Sequence, residues 1–305
     1  GEYVGGVSAG PLAGAQGKPI VLAAADPKHP PVFTGPGSQL HLRDVAWIEV
    51  RDLTFRGSTS NGINIDDGGT PDTPTHHVLL SRLRVEDVGP TGNRDGIKLS
   101  GVDDFRVEDC VIERWGTGGG AVDMVGCHRG VLEGNTLRHT EEQNASGIRM
   151  KGGTSNVVVR KNRFEHAGGR AVNLGGSTGL EFFRPPLEAD PRGEHAEARD
   201  IVVEGNVFVG SAAAVAFVGA TDAIVRFNTI YRPGRWALRI LQETRVAGFV
   251  PCRQGAFTDN LVVFDTAGWG GAVNVGPGTE PTSFSFARNA WYATDRPDAS
   301  RPDLP

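Results

Sequence analysis

The sequence predicts a single-stranded right-handed parallel β-helix, an all-β solenoid built from stacked coils. Two short phrases recur along the 305 residues, and turn-forming residues are abundant, with 43 glycines and 19 prolines. Repetition at a period of about 20 to 50 residues is typical of solenoids. Frequent turns between short strands fit such coils. We therefore expect one β-helix domain over residues 1–305.

The first recurring phrase is a short run of apolar residues around one Asn or Asp, as in residues 132–137 (LEGNTL) and 159–164 (VRKNRF). The marker residues are Asp52, Arg82, Asp109, Asn135, Asn162, Asn206, Asn228, Asn260 and Asn289. Because Asn tolerates the left-handed backbone conformation, we expect the markers at bends, with their side chains hydrogen-bonded along the solenoid axis. One step, from Asn162 to Asn206, spans 44 residues, whereas the others span 22 to 32, which indicates an insertion.

The second phrase lies between successive markers and predicts one strand per coil. Its copies are residues 62–66, 96–100, 121–125, 147–151, 171–175, 214–218, 237–241 and 272–276. The second and fourth residues of each copy are apolar, so the period of two places them inward and the third and fifth outward. A leucine-rich repeat also has periodic Asn, but these coils lack a stretch that would form an amphipathic helix.

The outward positions of this strand form polar columns, because equivalent residues on successive coils lie about 4.8 Å apart. The third positions are Asn64, Lys98, Asp123, Arg149, Asn173, Ala216, Arg239 and Asn274, and the fifth positions add Asp66, Ser100 and Lys151. Arg149 and Lys151 share one face, and a local positive patch attracts an acidic ligand. The alternative is a structural ladder in which Asp123 bridges Lys98 and Arg149.

An insertion at about residues 176–199 follows the strand that ends at Gly175. It contains Phe182, Phe183 and Arg184, and we expect it to wall the polar face and to offer a platform for a sugar. The tryptophans that flank other strands are further stacking candidates or packing residues: Trp115, Trp236 and Trp269.

Composition excludes several function classes. The net charge of -5 and the pI of about 5.9 argue against a nucleic-acid partner, and the absence of an 18-residue apolar run argues against a membrane partner. Cys110, Cys127 and Cys252 are an odd number without metal-ligand spacing, so we expect buried small side chains. The opening residues 1–3 read like the middle of a domain, so we expect an incomplete N-terminal cap.

Several segments carry a family resemblance over about 170 residues. They are residues 1–3 (GEY), 17–24 (GKPIVLAA), 32–35 (VFTG), 47–55 (WIEVRDLTF), 150–156 (MKGGTSN), 160–164 (RKNRF) and 169–170 (GR). The chain resembles the chondroitinase-B-like and alginate lyases of polysaccharide lyase family 6, which have a pectate-lyase-like solenoid. In that family a similar lysine strand, Asn turn and later arginine supply the catalytic base and a helper arginine. The resemblance therefore implies Lys151 as the base and Arg170 as the helper.

The family's calcium-binding enzymes have a Glu-x-Glu pair shortly before that lysine. Here residues 144–147 read NASG, and Glu141 and Glu142 are adjacent instead of alternating. We therefore expect that no cofactor is required. Calcium stays open as an alternative, although the family's Glu-x-Glu ligands are not matched.

The resulting hypothesis is β-elimination from a uronic-acid polymer by a secreted or periplasmic enzyme. Arg149 or Arg170 would neutralise the sugar carboxylate. Lys151 would remove the adjacent proton, with the neighbouring cations favouring its neutral amine. The expected substrate-binding residues are Lys98, Asp123, Asn173, Arg239, Phe182, Phe183 and Arg184.

Two other classes stay open. A β-helix glycoside hydrolase would need carboxylates at suitable separation, and Asp66, Asp95 and Asp123 lie on or beside consecutive strands of the polar face. A non-catalytic carbohydrate-binding or structural solenoid is the other alternative, because the fold alone does not imply activity.

Overall fold

The computed structural model describes residues 1–140, 144–189 and 193–305. Over these residues the chain visits three parallel sheets in the same order, coil after coil, which confirms the predicted parallel β-helix. Glu141 and Glu142 lie outside the described residues, and so do residues 190–192 of the insertion.

The three sheets differ in strand length, and the strands below are those of the described residues. The sheet that carries the polar columns, here called the site sheet, consists of Val7–Ala9, Leu40–Arg43, Ile63–Asp66, Ile97–Ser100, Gly120–Val125, Ser146–Lys151, Arg170–Gly175, Ala213–Val218, Trp236–Leu241 and Gly271–Val275. The long-strand sheet consists of Leu12–Ala13, Ile20–Ala23, Val45–Arg51, Thr75–Ser81, Val102–Glu108, His128–Glu133, Thr154–Arg160, Ala198–Glu204, Ala220–Thr221, Ile224–Arg226, Ala256–Thr258 and Ser285–Ala287.

The short-strand sheet has strands of three or four residues. It consists of Glu2–Val4, Val32–Thr34, Thr54–Arg56, Arg84–Glu86, Val111–Glu113, Thr136–Arg138, Arg163–Glu165, Val207–Val209, Thr229–Tyr231, Leu261–Phe264 and Ala290–Ala293. Short 3-10 helices occupy Leu180–Phe182, Leu187–Ala189, Pro281–Ser283 and Pro297–Ala299. In the described parts of the chain no helix is long and apolar enough to cross a membrane.

The period-two prediction is confirmed for the central strands of the site sheet, whereas in the last strand the predicted inward residue Val275 is 41% exposed. The inward residues Ile97, Leu99, Val122 and Met124 are at most 1% exposed, and they belong to one continuous core cluster. Each such side chain contributes about 1.5 to 3 kcal/mol by its burial. The three cysteines are free and buried, as expected, so the core runs without interruption along the coils.

The predicted Asn ladder forms. The Asn135 side-chain amide donates to Oδ1 of Asn162 at 2.9 Å, and Asn162 donates to Asn206 at 3.0 Å. The same contact links Asn206, Asn228, Asn260 and Asn289. Each Asn oxygen also accepts the backbone N–H of the preceding ladder residue, as Asn162 does from Asn135 at 2.9 Å. The ladder therefore satisfies buried backbone donors at the bend.

The expectation that the ladder asparagines themselves adopt the left-handed backbone conformation is wrong. The left-handed conformation belongs to the residue before each Asn, for example Lys161 with φ 56° and Phe227 with φ 56°. By strand register the earliest coils carry apolar residues in the ladder position, namely Leu53, Leu83 and Cys110. The expected markers Asp52, Arg82 and Asp109 take the left-handed position instead.

The insertion lies against the corner of the site sheet, where Arg184 fastens it. Arg184 donates two hydrogen bonds to Asp103, at 2.6 and 2.7 Å, and one to the carbonyl of Gly126 at 2.9 Å. Gly153 has φ +86°, and a Cβ there would lie 2.4 Å from the carbonyl oxygen of Arg184. A glycine is therefore required for this close approach.

A second set of hydrogen bonds, accepted by Glu197, holds the first residues of the insertion. The buried carboxylate of Glu197 accepts hydrogen bonds from the backbone N–H groups of Gly152 at 2.9 Å and Thr178 at 3.0 Å. It also accepts the hydroxyl of Thr244 at 2.5 Å. These contacts hold the first residues of the insertion beside the end of the strand Ser146–Lys151.

Candidate functional site

The three residues predicted as catalytic meet in one cleft on the outward face of the site sheet. Arg149 and Lys151 belong to the strand Ser146–Lys151, and Arg170 begins the next strand. The cleft has a volume of about 250 Å³. We call it the cationic cleft, and its polar lining includes Ser146, Arg149, Lys151, Arg170, Asn173 and Glu243.

Both arginines are held in place by oxygen acceptors at the rim of the cleft. Arg149 donates to the carbonyl of Asn144 at 2.9 Å and to Oδ1 of Asn93 at 3.4 Å. Arg170 donates to Oε1 of Glu243 at 2.9 Å, and the side chain of Arg170 is 23% exposed. Each guanidinium has five N–H donors, so these contacts leave donors for a ligand.

Lys151 is bound at the floor of the cleft. Its Nζ lies 3.7 Å from Oδ1 of Asp123, whose side chain is completely buried. Asp123 also accepts a hydrogen bond from Lys98. The alternative ladder, in which Asp123 bridges Lys98 and Arg149, is confirmed for Lys98. The second cation paired with Asp123 is Lys151 instead of Arg149. The reason is the reach of the lysine side chain, which extends from the fifth column to the third.

The charges under the cleft form a coupled cluster. Burial acts to raise the pKa of Asp123, but Lys98 and Lys151 outweigh it and hold the pKa below its ordinary value. Burial, with the charge of Asp123, raises the pKa of the neighbouring Asp95 to about 6. Burial acts to lower the pKa of Lys98, but Asp123 and Asp95 outweigh it, so that this pKa is raised. Asp123 and Lys98 therefore form an ion pair at neutral pH.

Of the expected substrate-binding residues, Asn173 lines the cationic cleft. Its amide donates to the hydroxyl of Ser146 at 3.1 Å, and within the described residues its buried Oδ1 accepts no hydrogen bond. Arg239 lies two coils further on, where it donates to Asn274 at 2.9 Å and stacks on Trp236 at 4.5 Å. Burial, followed by the charge of Arg170, lowers the pKa of Arg239. Arg239 contributes no lining to the cleft.

Two residues of the insertion differ from the sequence expectation. Phe183 is 5% exposed and packs edge-on against Phe249, at 5.1 Å between ring centroids, so it offers no platform. The Arg184 side chain is 11% exposed because it is paired with Asp103. Burial acts to raise the pKa of Asp103, but the hydrogen bonds from Arg184 and His128 hold it far below its ordinary value. Phe182, by contrast, is 63% exposed.

The tryptophan side chains pack against the protein. Trp115 is 2% exposed and lies against the ring of His139 at 4.5 Å. Trp269 stacks on Phe264 at 4.3 Å. Trp115 and Trp269 are therefore packing residues, which was one of the two roles considered for them from the sequence.

A larger groove of about 500 Å³ adjoins the cationic cleft on its N-terminal side. We call it the loop groove. Lys151 and Ser177 line both spaces, so the two spaces are adjacent. The site sheet forms one wall of the loop groove and the insertion, with Phe182 and Arg184, forms the other.

Sequence reasoning missed Ser146 and Glu243. Ser146 lies one residue before the strand phrase, and the strand register to Gly120 would have placed it in the site sheet. Glu243 follows the strand Trp236–Leu241 and pairs with Arg170 across 73 residues of sequence, which no local pattern reveals.

The described lining of the cleft does not fit calcium. Calcium takes six to eight oxygen ligands, whereas this cleft presents three cations, and its carboxylate Glu243 is bonded to Arg170. Across residues 1–140, 144–189 and 193–305, no group of three or more His, Cys, Asp or Glu side chains is placed to hold a metal ion.

Comparison with known proteins supports the fold. Residues 38–185 match the family model of the right handed beta helix region. No curated protein sequence matches the chain. The alginate lyase from Paenibacillus sp. str. FPU-7 is similar with a TM-score of 0.53 and 16% identity, over 94% of this chain and 88% of that chain.

Two further solved structures show the same similarity. A mannuronic acid specific polysaccharide family 6 lyase from human gut microbiota gives a TM-score of 0.51 and 16% identity, over 94% of this chain and 80% of that chain. The tailspike protein of E. coli bacteriophage HK620, in complex with pentasaccharide, gives 0.55 and 14%, over 87% of this chain and 48% of that chain. The chain thus spans about half the length of the tailspike. The resemblance in fold to family 6 lyases is confirmed, and the protein is a right-handed parallel β-helix protein.

Proposed function

We propose that this protein is a polysaccharide lyase that cleaves a uronic-acid polymer by β-elimination in the cationic cleft. The observation that carries the proposal is the convergence of one amine, Lys151, and two guanidinium groups, Arg149 and Arg170, on one open cleft. An amine base and a neutralised carboxylate are the two requirements of this reaction. The fold shared with two lyases supports the proposal.

The chemistry assigns one role to each cation. Arg149 and Arg170 bind the sugar carboxylate, and a guanidinium suits a carboxylate because it donates two parallel hydrogen bonds. The amine of Lys151 then takes the proton from the carbon next to the carboxylate. The electrons of that C–H bond form a carbon–carbon double bond, the glycosidic bond breaks, and the leaving oxygen takes up a proton. Stabilising the negative charge that develops on the carboxylate is the largest expected contribution.

Asp123 and Lys98 lie beneath the cleft and help to position Lys151. Asp123 holds the amine of Lys151 at the cleft floor, 3.7 Å from its own Oδ1, and Lys98 neutralises Asp123. We therefore assign Asp123 and Lys98 as positioning residues, not substrate ligands.

The hydrolase alternative has a weaker geometric basis. A general acid must reach the glycosidic oxygen, and Asp95 and Asp123 are 2% and 0% exposed. Asp66 is accessible, but it accepts hydrogen bonds from Asn64 at 2.7 Å and contacts His41 at 2.7 Å. Because the Asp66 carboxylate is already hydrogen-bonded within the protein, it is a poor candidate for the general acid or base of a hydrolase.

The proposal is tested by incubating the protein with a panel of acidic polysaccharides and measuring ultraviolet absorbance. A lyase produces unsaturated, absorbing ends, whereas a hydrolase produces reducing ends without this absorbance. A binding protein produces neither. Since such polymers lie outside cells, the same proposal places the protein in the secreted or periplasmic space.

A further inference from the structure

The loop groove differs from the cationic cleft in charge, although Lys151 and Ser177 line both. Of its lining cations, Lys151 is shared with the cationic cleft. The other two are paired with buried carboxylates: Lys98 with Asp123, and Arg184 with Asp103. The side chains of Lys98 and Arg184 are only 19% and 11% exposed. Their charges are therefore unavailable to a ligand.

Two carboxylates that form no ion pair within the described residues line the same groove. Asp67 lies at its base and accepts the backbone N–H of Gly69 at 3.0 Å. Glu181 is exposed on the 3-10 helix Leu180–Phe182 of the insertion. A ligand carboxylate in this groove would meet two like charges, and like-charge contacts reduce affinity for the wrong partner.

The rest of the lining suits the apolar face of a sugar. Phe182 is 63% exposed, and Pro71 and Pro186 add rigid apolar surface beside it. The hydroxyl group of Ser100 supplies a hydrogen-bonding partner. A groove of about 500 Å³ is within the range of small-ligand sites, about 300 to 1,000 Å³.

We propose that the loop groove is a subsite for an uncharged sugar, and that the substrate is a polymer in which a uronate adjoins an uncharged sugar. This inference rests on the proposed lyase function of the cationic cleft. The uronate occupies the cationic cleft, and its uncharged neighbour extends past Lys151 into the loop groove and stacks on Phe182. A homopolymer of uronates would place a carboxylate beside Asp67 and Glu181.

The test compares two probes of equal length: non-sulfated chondroitin oligosaccharides, which alternate a uronate and an uncharged hexosamine, and oligomannuronate, in which every residue is a uronate. We expect kcat/KM to be at least about tenfold higher for the alternating probe, which corresponds to about 1.4 kcal/mol of discrimination. A preference for oligomannuronate would overturn the inference.

Charge variants test the cause of the preference. In the double variant Asp67→Asn/Glu181→Gln the ratio should fall about threefold or more, because oligomannuronate is no longer repelled. Glu188→Gln, on the same insertion but outside the lining of the loop groove, is the matched control and should leave the ratio unchanged. An unchanged ratio in the double variant would overturn the inference.

Binding separates failure of the inference from failure of the proposed function. If neither probe is cleaved, the lyase proposal fails for these polymers, and titration calorimetry on the same probes still decides the subsite. Tighter binding of the alternating probe, weakened by Phe182→Ala, would support an uncharged-sugar subsite. Equal or tighter binding of oligomannuronate would contradict it.

Discussion

Lys151 and the buried Asp123 are in contact on the outward face of the site sheet, with 3.7 Å between Nζ and Oδ1. The lysine side chain is only 16% exposed, so its amine is held at one place in the cationic cleft instead of moving freely in solvent. A base so positioned needs little reorganisation to reach a bound sugar.

Replacing Lys151 with Ala should abolish turnover while leaving substrate affinity largely unchanged. The loss of a general base costs about 10² to 10⁴ in rate, whereas the stability cost should be near 1 kcal/mol because Lys98 still neutralises Asp123. Initial rates and calorimetric affinities measure the two effects. Lys161→Ala, at an exposed lysine bonded to Glu133, is the matched control. Near-full activity in Lys151→Ala would show that this lysine is not the base.

Replacing Arg149 with Ala should weaken binding as well as rate. Its contact with the carboxylate exists in both the bound substrate and the transition state, so KM should rise and kcat should fall. We expect a loss of about 10² in kcat/KM, as for a removed charged hydrogen bond. Steady-state kinetics distinguish this from an effect on kcat alone. Arg163→Ala, which removes a surface arginine paired with Glu165, should leave both constants unchanged.

Removing calcium should leave most of the activity intact, because the described residues that line the cationic cleft include no acidic ligand set. The measurement is the initial rate after dialysis against a chelator, with and without added calcium. A large loss that calcium restores would contradict this expectation, and would direct attention to Asp66 and the adjoining Asp67.

Replacing Arg184 with Ala should release the insertion from the coil. The buried Asp103 would lose its bidentate partner, at a cost of about 2 kcal/mol at neutral pH. Since the pKa of Asp103 is lowered in the folded protein, this stabilisation is present above about pH 4 and is lost as the pH falls further. The destabilisation should therefore be smaller near pH 3 than near pH 7 in urea denaturation.

Arg129→Ala is the control for the insertion, because Arg129 also bonds Asp103 but does not belong to the insertion. Limited proteolysis should cut the insertion faster in Arg184→Ala than in Arg129→Ala. Equal cleavage of both variants would show that Arg184 does not fasten the insertion.

Replacing Asp95 with Asn should stabilise the protein at alkaline pH. Burial and the charge of Asp123 raise the pKa of Asp95 to about 6, so the folded state binds a proton that the unfolded state releases near pH 4. Stability therefore falls as the pH rises through this interval. We expect a gain of about 1 to 3 kcal/mol near pH 8 and little gain near pH 4. Asn keeps an acceptor for the N–H of Gly120, which Asp95 binds at 2.7 Å. Urea denaturation at both pH values measures the gain, and Asp72→Asn in an exposed loop is the control.

The sequence by itself determined the solenoid, the inward and outward faces of the site sheet, and the place of the insertion. These follow from period-two alternation and from stacking, which turns a repeat along the chain into a fixed register in space. The register therefore also placed Arg149, Lys151 and Asn173 on one face.

Only the tertiary structure decided which charges are available to a ligand. Arg184 pairs with Asp103 across 81 residues, and Arg170 pairs with Glu243 across 73. A long charged side chain on a loop can reach several partners, and the stability of each pairing depends on how deeply it is buried. The exposure of Phe182 and the burial of Phe183 have the same origin, because the path of the insertion depends on contacts with distant coils and not on its own sequence.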